Sequence, residues 1–314
     1  MHPFGATPEM LEFARRAVGE GPVVDRARRL YKAILDYGLE VGYDEDLSQN
    51  RRPHGCRTAH QVFTEPGADG RRYAMCIEYT LLLLALAPAA GLKVVPMRKL
   101  EAIGEGQGFV FGHVAAGIES EHGLMLCDLA QRRFWRETEG FEVVSLQRLL
   151  GYVHNNTGII FTLQGRLEEA EAAFSQALEE DSGNSTFWFN RGSLQLRRGL
   201  ARSARGDLAR AAGLEPGSVQ VLTNLAVAET ALGERDQARQ TLYLARTLAP
   251  EDARVAFNLG VLAYEEDDLV TAEQQWREAV AIDPVFQQAR RWLSTLLRNT
   301  GRKEEGFRIL GGLA

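Results

Sequence analysis

A 34-residue internal repeat in the C-terminal half is the feature that most restricts how this chain can fold. Small residues recur at this spacing in two registers, Ala170, Ala204, Ala238 and Ala272 in one, and Ala177, Ala211, Ala245 and Ala279 in the other. A third register carries Gly165, Gly199, Gly233, Asp267 and, after a further 34 residues, Gly301. A period of this length indicates stacked helical hairpins, because one hairpin cannot bury its apolar face alone.

The alanine registers, a large apolar residue between them and the closing prolines resemble tetratricopeptide repeats. Three of the units end in Pro216, Pro250 and Pro284, and proline cannot continue a helix. The resemblance implies repeats at about 151–184, 185–218, 219–252 and 253–286, with a capping repeat from 287 to the C-terminus. We therefore predict an all-α tetratricopeptide solenoid over residues 149–314.

An asparagine recurs at the sixth position of the first helix in each of the four repeats, as Asn156, Asn190, Asn224 and Asn258. An amide there can donate to and accept from a peptide backbone, and in some tetratricopeptide proteins such a ladder holds an extended chain. Asparagine is also the commonest residue at this position in the repeat family, so a structural role is the alternative.

The neighbouring groove positions indicate the kind of partner. Several are apolar, among them Phe257, Val227 and Val261. The fifth position of the early repeats lacks the Lys or Arg that a clamp for a C-terminal carboxylate requires. We predict a protein partner, bound through an extended internal segment with apolar side chains.

In the N-terminal half, the stretch 71–87 is predicted to be a buried helix with Cys76 in its opening turn. The amides of that turn have no intrahelical partners and carry the positive end of the helix dipole, so a thiol there is biased toward thiolate. Cys76 is a candidate nucleophile. The alternative is a small, inert hydrophobic residue, as buried cysteines often are.

Two predicted strands carry a histidine and a carboxylate that could serve this thiol. They are joined by a polar stretch ending in glycine, which predicts a hairpin. With the turn centred at Ser120 and Glu121, His113 and Asp128 are directly paired across the ladder. The inference depends on register, since a slip of one residue places the two side chains on opposite faces.

The cysteine, histidine and aspartate, in this order and spacing, resemble the transglutaminase-like cysteine enzymes over about residues 23–130. The resemblance implies an α+β papain/transglutaminase-like domain at 1–148 in which Cys76, His113 and Asp128 form a catalytic triad. Family members often have glycine two residues before the cysteine and an aromatic residue two after the histidine, where this chain has Ala74 and Ala115. Peptidase or amidase activity and acyl transfer stay open, as does an inactive relative serving as a scaffold.

Composition restricts the functional classes further. The net charge is −6 and no basic block stands out, which argues against nucleic acid or an anionic membrane as a partner. Three cysteines indicate a reducing compartment and no disulfide framework. The apolar run from Tyr79 to Leu92 is interrupted by Pro88 and is shorter than the ~20 residues of a membrane span. The N-terminus lacks signal-peptide features, so a soluble cytoplasmic protein is predicted.

A metal site is the last alternative, suggested by His54, Cys56 and His60. Their spacing matches no standard zinc arrangement, and a fourth ligand would have to come from elsewhere in the chain. The alternative is a loop histidine, a partly buried cysteine and a helix histidine. We predict no metal and no cofactor.

Overall fold

The chain divides into two compact units, Met1–Gly183 and Asn184–Ala314. The computed structural model describes residues 5–37, 39–41, 56–64, 72–99, 105–106, 109–110, 113–129, 131–135, 138 and 140–311. The first unit includes the first predicted repeat together with the N-terminal region. The domain boundary predicted at residues 148 and 149, where the repeat pattern starts, stays a prediction.

The first unit opens with two amphipathic helices, α1 (Pro8–Val18) and α2 (Val23–Asp36). The hydroxyl of Thr7 accepts a hydrogen bond from the backbone of α1 and supplies its N-cap. The residues of α2 that are buried are Ala27, Leu30 and Ile34, which have the helical spacing expected of a half-buried helix.

A short helix α3 (Ala59–Thr64) precedes the core helix α4 (Cys76–Leu86), which ends in a 3₁₀ turn at Ala87–Ala90. All residues of α4 except Cys76 and Leu84 are buried, as expected of a helix that is apolar on all sides. The helix begins later than the predicted stretch, because the residues before it form a strand. That strand, β2 (Arg72–Ala74), pairs in parallel with β1 (Leu39–Val41).

A five-stranded antiparallel sheet packs against α4. In chain order, the remaining strands of the unit are β3 (Val94–Lys99), β4 (Glu105–Gly106), β5 (Phe109–Val110), β6 (Val114–Ser120), β7 (Gly123–Asp128), β8 (Arg133–Trp135) and β9 (Phe141–Val143). The sheet has the order β8-β7-β6-β3-β9, and β4 pairs separately with β5. The N-terminal region therefore combines helices with a small antiparallel sheet.

The β6–β7 hairpin turns one residue later than the sequence analysis predicted. Ser120 pairs with Gly123, so the turn consists of Glu121 and His122. Two-residue turns match the twist of the strands they join. Gly123 has a φ of +95°, which glycine adopts without steric cost. The predicted direct pairing of the histidine with the aspartate was therefore wrong.

The corrected register nevertheless keeps those two residues on one face. Ala116 is opposite Cys127, which aligns Asp128 with Ala115. His113 lies two residues further along and is a diagonal neighbour of Asp128. The predicted and observed partners of Asp128 are two residues apart. Because side chains alternate between the two faces of a sheet with a period of two residues, His113 and Asp128 still share a face.

Helical hairpins make up the rest of the chain, and the all-helical repeat architecture is confirmed. The first pair, α5 (Leu146–Leu163) and α6 (Leu167–Glu180), belongs to the first unit. The second unit contains α7 (Ser185–Arg197), α8 (Ala201–Leu214), α9 (Val219–Ala231), α10 (Arg235–Leu248), α11 (Ala253–Glu265), α12 (Leu269–Ile282), α13 (Gln287–Asn299) and α14 (Lys303–Gly311). Helix α5 begins five residues before the predicted repeat start at 151, because Ser145 caps it there.

Close helix contacts explain the small residues of the repeat. In the second unit, a Cβ placed on Gly192 would lie 2.7 Å from Leu208, and one on Gly260 would lie 2.4 Å from the indole of Trp276. Both partners are fully buried. The two helices of a hairpin approach this closely only where one of them lacks a side chain.

Candidate functional site

A histidine and an aspartate are joined by a hydrogen bond on the sheet face of the first unit. The distance between Nε2 of His113 and Oδ2 of Asp128 is 2.6 Å, and both side chains are buried. The other carboxylate oxygen, Oδ1, accepts a hydrogen bond of 3.0 Å from the backbone N–H of Gln131. The ring of Phe141 contacts the imidazole edge to face, with centroids 5.9 Å apart. The imidazole is thereby held in one orientation.

Cys76 hydrogen-bonds to His113 and completes the group. It is the first residue of α4, and Met75 in extended conformation forms the N-cap. Of the three free cysteines, Cys56 and Cys127 are buried and Cys76 is half-buried. The structure thus brings together all three residues that the sequence analysis proposed for a triad, and their catalytic role stays a prediction.

The electrostatics of the group concern mainly the imidazole. Burial alone lowers the pKa of His113, whereas hydrogen bonds to Asp128 and Cys76 and the electrostatic interaction with both raise it to about 9. The imidazole is therefore protonated near neutral pH and can donate a proton to a leaving group. By contrast, burial raises the pKa of Cys127, so that thiol stays protonated and unreactive.

Of the three residues of the metal alternative, the structure describes Cys56 and His60. No group of three or more His, Cys, Asp or Glu residues within the described part of the chain is arranged to hold an ion. His54 lies outside the described residues. His60 lies on α3, and the backbone N–H of Cys56 donates to the hydroxyl of Thr157 at 3.1 Å.

The four asparagines of the predicted ladder are not equally accessible. Asn156 is 2% exposed and Asn190 is 0% exposed. The carbonyl of Asn156 accepts a hydrogen bond of 3.2 Å from the neighbouring Asn155. Asn224 and Asn258 are half-buried, and in the second unit both line the same cavity.

This cavity, which we call the α9–α11–α13 cavity, has a volume of about 530 Å³. Its apolar wall consists of Val227, Phe257, Val261, Phe286 and Trp292. The rings of Phe257 and Phe286 meet edge to face at 5.3 Å, and the rings of Phe257 and Trp292 at 6.3 Å. Amide groups and a continuous apolar wall therefore share one concave surface.

Two residues of this wall, Phe286 and Trp292, were not predicted from the sequence. A signal for Trp292 was present, because it lies 34 residues after Asn258 and so continues the asparagine register into the capping repeat. Trp292 is not predicted from that register because it is a tryptophan and not an asparagine. Phe286 precedes α13 and belongs to no register that we identified.

Comparison with known proteins identifies the repeats. A family model described as "Tetratricopeptide repeat" matches residues 152–185, 161–219 and 223–285. Two helices per 34-residue unit agree with this match. The C-terminal part of the chain therefore consists of tetratricopeptide repeats, a class of repeat that serves protein–protein interaction.

Among individual proteins, the human "Protein O-mannosyl-transferase TMTC3" is 29% identical over 146 residues. The match covers 45% of this chain and only 16% of that protein. Within the described residues, none of the helices has the length and apolar composition needed to cross a bilayer.

Solved structures similar over about half of this chain include the following three. TTC0263, a thermophilic TPR protein of Thermus thermophilus, is 21% identical, with 52% of this chain and 89% of that chain covered and a TM-score of 0.48. The MamA protein is 19% identical, with 52% and 88% covered and a TM-score of 0.43. YrrB, described as a TPR protein with an unusual peptide-binding site, is 20% identical, with 51% and 83% covered and a TM-score of 0.39.

Proposed function

We propose that this chain is an interaction protein whose second unit binds an extended segment of a partner protein in the α9–α11–α13 cavity. The observation that carries the proposal is the pairing of Asn224 and Asn258 with the apolar wall. An amide can bond to both groups of a peptide backbone, while an apolar wall accepts side chains that point away from it.

The chemistry of the wall indicates which segment fits. Aromatic rings and valines favour a large aliphatic or aromatic side chain, and burying one contributes about 1.5–3 kcal/mol. The guanidinium of Arg254, at the rim, is bonded to Asp252 at 2.7 Å. A cation that is already paired binds a terminal carboxylate weakly, so an internal segment of the partner fits better.

The test is a peptide array in which the central residue of a 12-residue extended peptide is varied. We expect binding to the intact chain to favour central Leu, Ile, Phe or Trp. Val261→Glu places a charge in the wall and should weaken binding at least ~10-fold. The matched control is Val270→Glu, since Val270 is 80% exposed and does not line the cavity. Equal binding by both variants, or no preference for an apolar residue, would contradict the proposal.

A second candidate function is thiol-dependent acyl chemistry of transglutaminase-like type in the first unit. The observation that favours it is the contact of one buried imidazole with both Asp128 and Cys76. The sulfur of Cys76 would attack the carbonyl carbon of an amide or thioester, forming a C–S bond. The bond from that carbon to the nitrogen of the amide, or to the substrate's own sulfur in a thioester, would break, and His113 would donate its proton to the leaving group.

The acyl group would then leave the sulfur in a second step. Water or an amine attacks the carbonyl carbon, His113 takes the proton of the attacking group, and the C–S bond breaks. Asp128 keeps the imidazole oriented throughout. Hydrolysis and acyl transfer differ only in the attacking group. The ratio of the free acid to the amide product, measured with and without an added amine, shows which of the two reactions occurs.

Labelling with iodoacetamide, followed by peptide mass spectrometry, tests this second function. We expect Cys76 to be alkylated at pH 6–7, where an ordinary thiol reacts slowly. Cys76→Ala should abolish the labelling and leave the fold intact. Labelling that persists at Cys56 or Cys127, or a Cys76 that reacts no faster than a small-molecule thiol, would contradict the triad.

A further inference from the structure

A fully buried carboxylate lies in the same helical turn as Cys76. Glu78 is 0% exposed and is the third residue of α4. Its Oε2 accepts a hydrogen bond of 2.9 Å from the backbone N–H of Met75, the residue directly before the cysteine. A carboxylate at this position closes the first turn of a helix by bonding an amide that the helix itself cannot satisfy.

The same carboxylate is also held by a residue from far away in the sequence. The backbone N–H of Arg57 donates to Oε1 of Glu78 at 2.9 Å, and the Arg57 guanidinium lies 3.5 Å from Oε2. The arginine side chain is only 15% exposed. The preceding residue, Cys56, is bonded to Thr157 of α5. The segment containing Arg57 is thus anchored at one end to α5 and at the other to the first turn of α4.

We propose that Arg57 and Glu78 are positioning residues for Cys76, which hold the first turn of α4 against His113 and set the charge that the thiol experiences. This inference rests on the proposed thiol chemistry of the first unit. Neither residue is required to touch a substrate, and both would act through the cysteine.

Arg57 and Glu78 also carry charges that act on the Cys76 sulfur. A buried negative charge within one helical turn opposes formation of a thiolate, and a cation beside it offsets that effect. Loss of the Arg57 charge leaves more of the Glu78 charge acting on the sulfur, so the thiolate forms at higher pH. Loss of the Glu78 charge leaves the Arg57 charge, so the thiolate forms at lower pH.

The two substitutions should therefore move the same property in opposite directions. We would measure the rate of iodoacetamide alkylation of Cys76 against pH in the full-length chain. We expect Arg57→Met to raise the pH midpoint by about 0.5–1 unit, and Glu78→Gln to lower it by a similar amount. Arg57→Lys keeps the charge and should restore the midpoint to within about 0.3 unit of the native one.

The matched control is the exposed pair Arg16 and Glu12 on α1, where the arginine side chain is 79% exposed. Arg16→Met and Glu12→Gln make the same changes in net charge, and screening by solvent should leave the midpoint unchanged. Should Glu78→Gln fail to fold, as judged by its circular dichroism, Arg57→Met and Arg57→Lys still decide the question.

Three outcomes separate this inference from the function on which it rests. Opposite shifts, with rescue by lysine, support the positioning role. Midpoints that move in the same direction, or do not move, refute it while the native chain keeps its fast alkylation. A native chain whose Cys76 reacts like an ordinary thiol refutes the proposed thiol function itself.

Discussion

Asp128→Asn is the substitution that most directly tests the electrostatics of the Cys76–His113–Asp128 group. The pKa of His113 is about 9, against 6.5 for an ordinary histidine. That difference of about 2.5 units corresponds to ~3 kcal/mol of preference for the protonated imidazole. Asp128 supplies a large share of it through a 2.6 Å hydrogen bond and its charge. Asparagine has nearly the same shape and no charge, so we expect the pKa of His113 to fall by about 1–2 units.

The assay is an NMR titration of ¹⁵N-histidine-labelled protein. The chain contains six histidines, and a His113→Gln variant assigns the signal of interest. In the native chain, the His113 signal should titrate near 9. In Asp128→Asn the His113 signal should titrate well below 9, because burial disfavours the protonated imidazole and the carboxylate that stabilised it is gone. In Cys76→Ala the pKa should also fall, because the hydrogen bond with the thiol is lost.

The same shift makes stability depend on pH with a definite sign. The folded-state pKa of His113 is raised above the unfolded value. The contribution of His113 to the free energy of unfolding is therefore fully present below pH 6.5 and is lost as the pH rises through 9. Urea unfolding, followed by NMR signals of the first unit, should show the native chain losing up to ~3 kcal/mol across this window and Asp128→Asn losing less. A native His113 that titrates at or below 6.5, or equal pH dependence in the two proteins, would refute the reasoning.

Three further predictions concern the repeat unit. Asp267→Gly should raise the melting temperature, since Asp267 has a φ of +63° where the other repeats have glycine, and relief of that strain contributes ~1 kcal/mol. Gly260→Ala should lower the unfolding free energy by ~1–3 kcal/mol, because the added methyl group meets the buried indole of Trp276; a thermal melt measures it. Replacing both Asn224 and Asn258 by alanine should weaken peptide binding by roughly 10–100-fold in a titration, with ~1–2 kcal/mol of lost stability, because the Asn224 amide also donates to the hydroxyl of Ser193.

Each of these has a control within the same unit. Gly233→Asp introduces the strain that Asp267→Gly removes, and should lower the melting temperature, since Gly233 has a φ of +76°. In the third repeat, Ala226 occupies the position equivalent to Gly260. Its methyl group is already accommodated there, so Ala226→Gly should not raise the free energy of unfolding. Asn190→Ala should lower the stability of the chain without weakening peptide binding, because Asn190 is fully buried. The opposite pattern at Asn190 would contradict the division of the ladder into structural and binding positions.

Local and periodic features of the fold could be predicted from the sequence. The repeat is specified by residues a fixed distance apart, such as a glycine in one helix and the large residue it faces in the next. Those contacts join residues that are close in sequence and recur in each repeat, so they can be predicted from the repeating pattern. The same holds for α4, whose sequence from Tyr79 to Leu86 is almost entirely apolar and therefore predicts a buried segment. The shared face of His113 and Asp128 was also predictable, because alternation along a strand tolerates an error of two residues.

Tertiary structure decided the features that depend on single, long-range contacts. Arg57 meets Glu78 across 21 residues and Cys56 meets Thr157 across 101 residues, and neither contact repeats or follows a helical or strand period. The asparagine ladder looks uniform in sequence, yet Asn190 is buried while Asn258 faces a cavity. The difference comes from which neighbouring helices cover each position. A side chain's place on its own helix follows from the sequence, whereas its exposure depends on what packs above it.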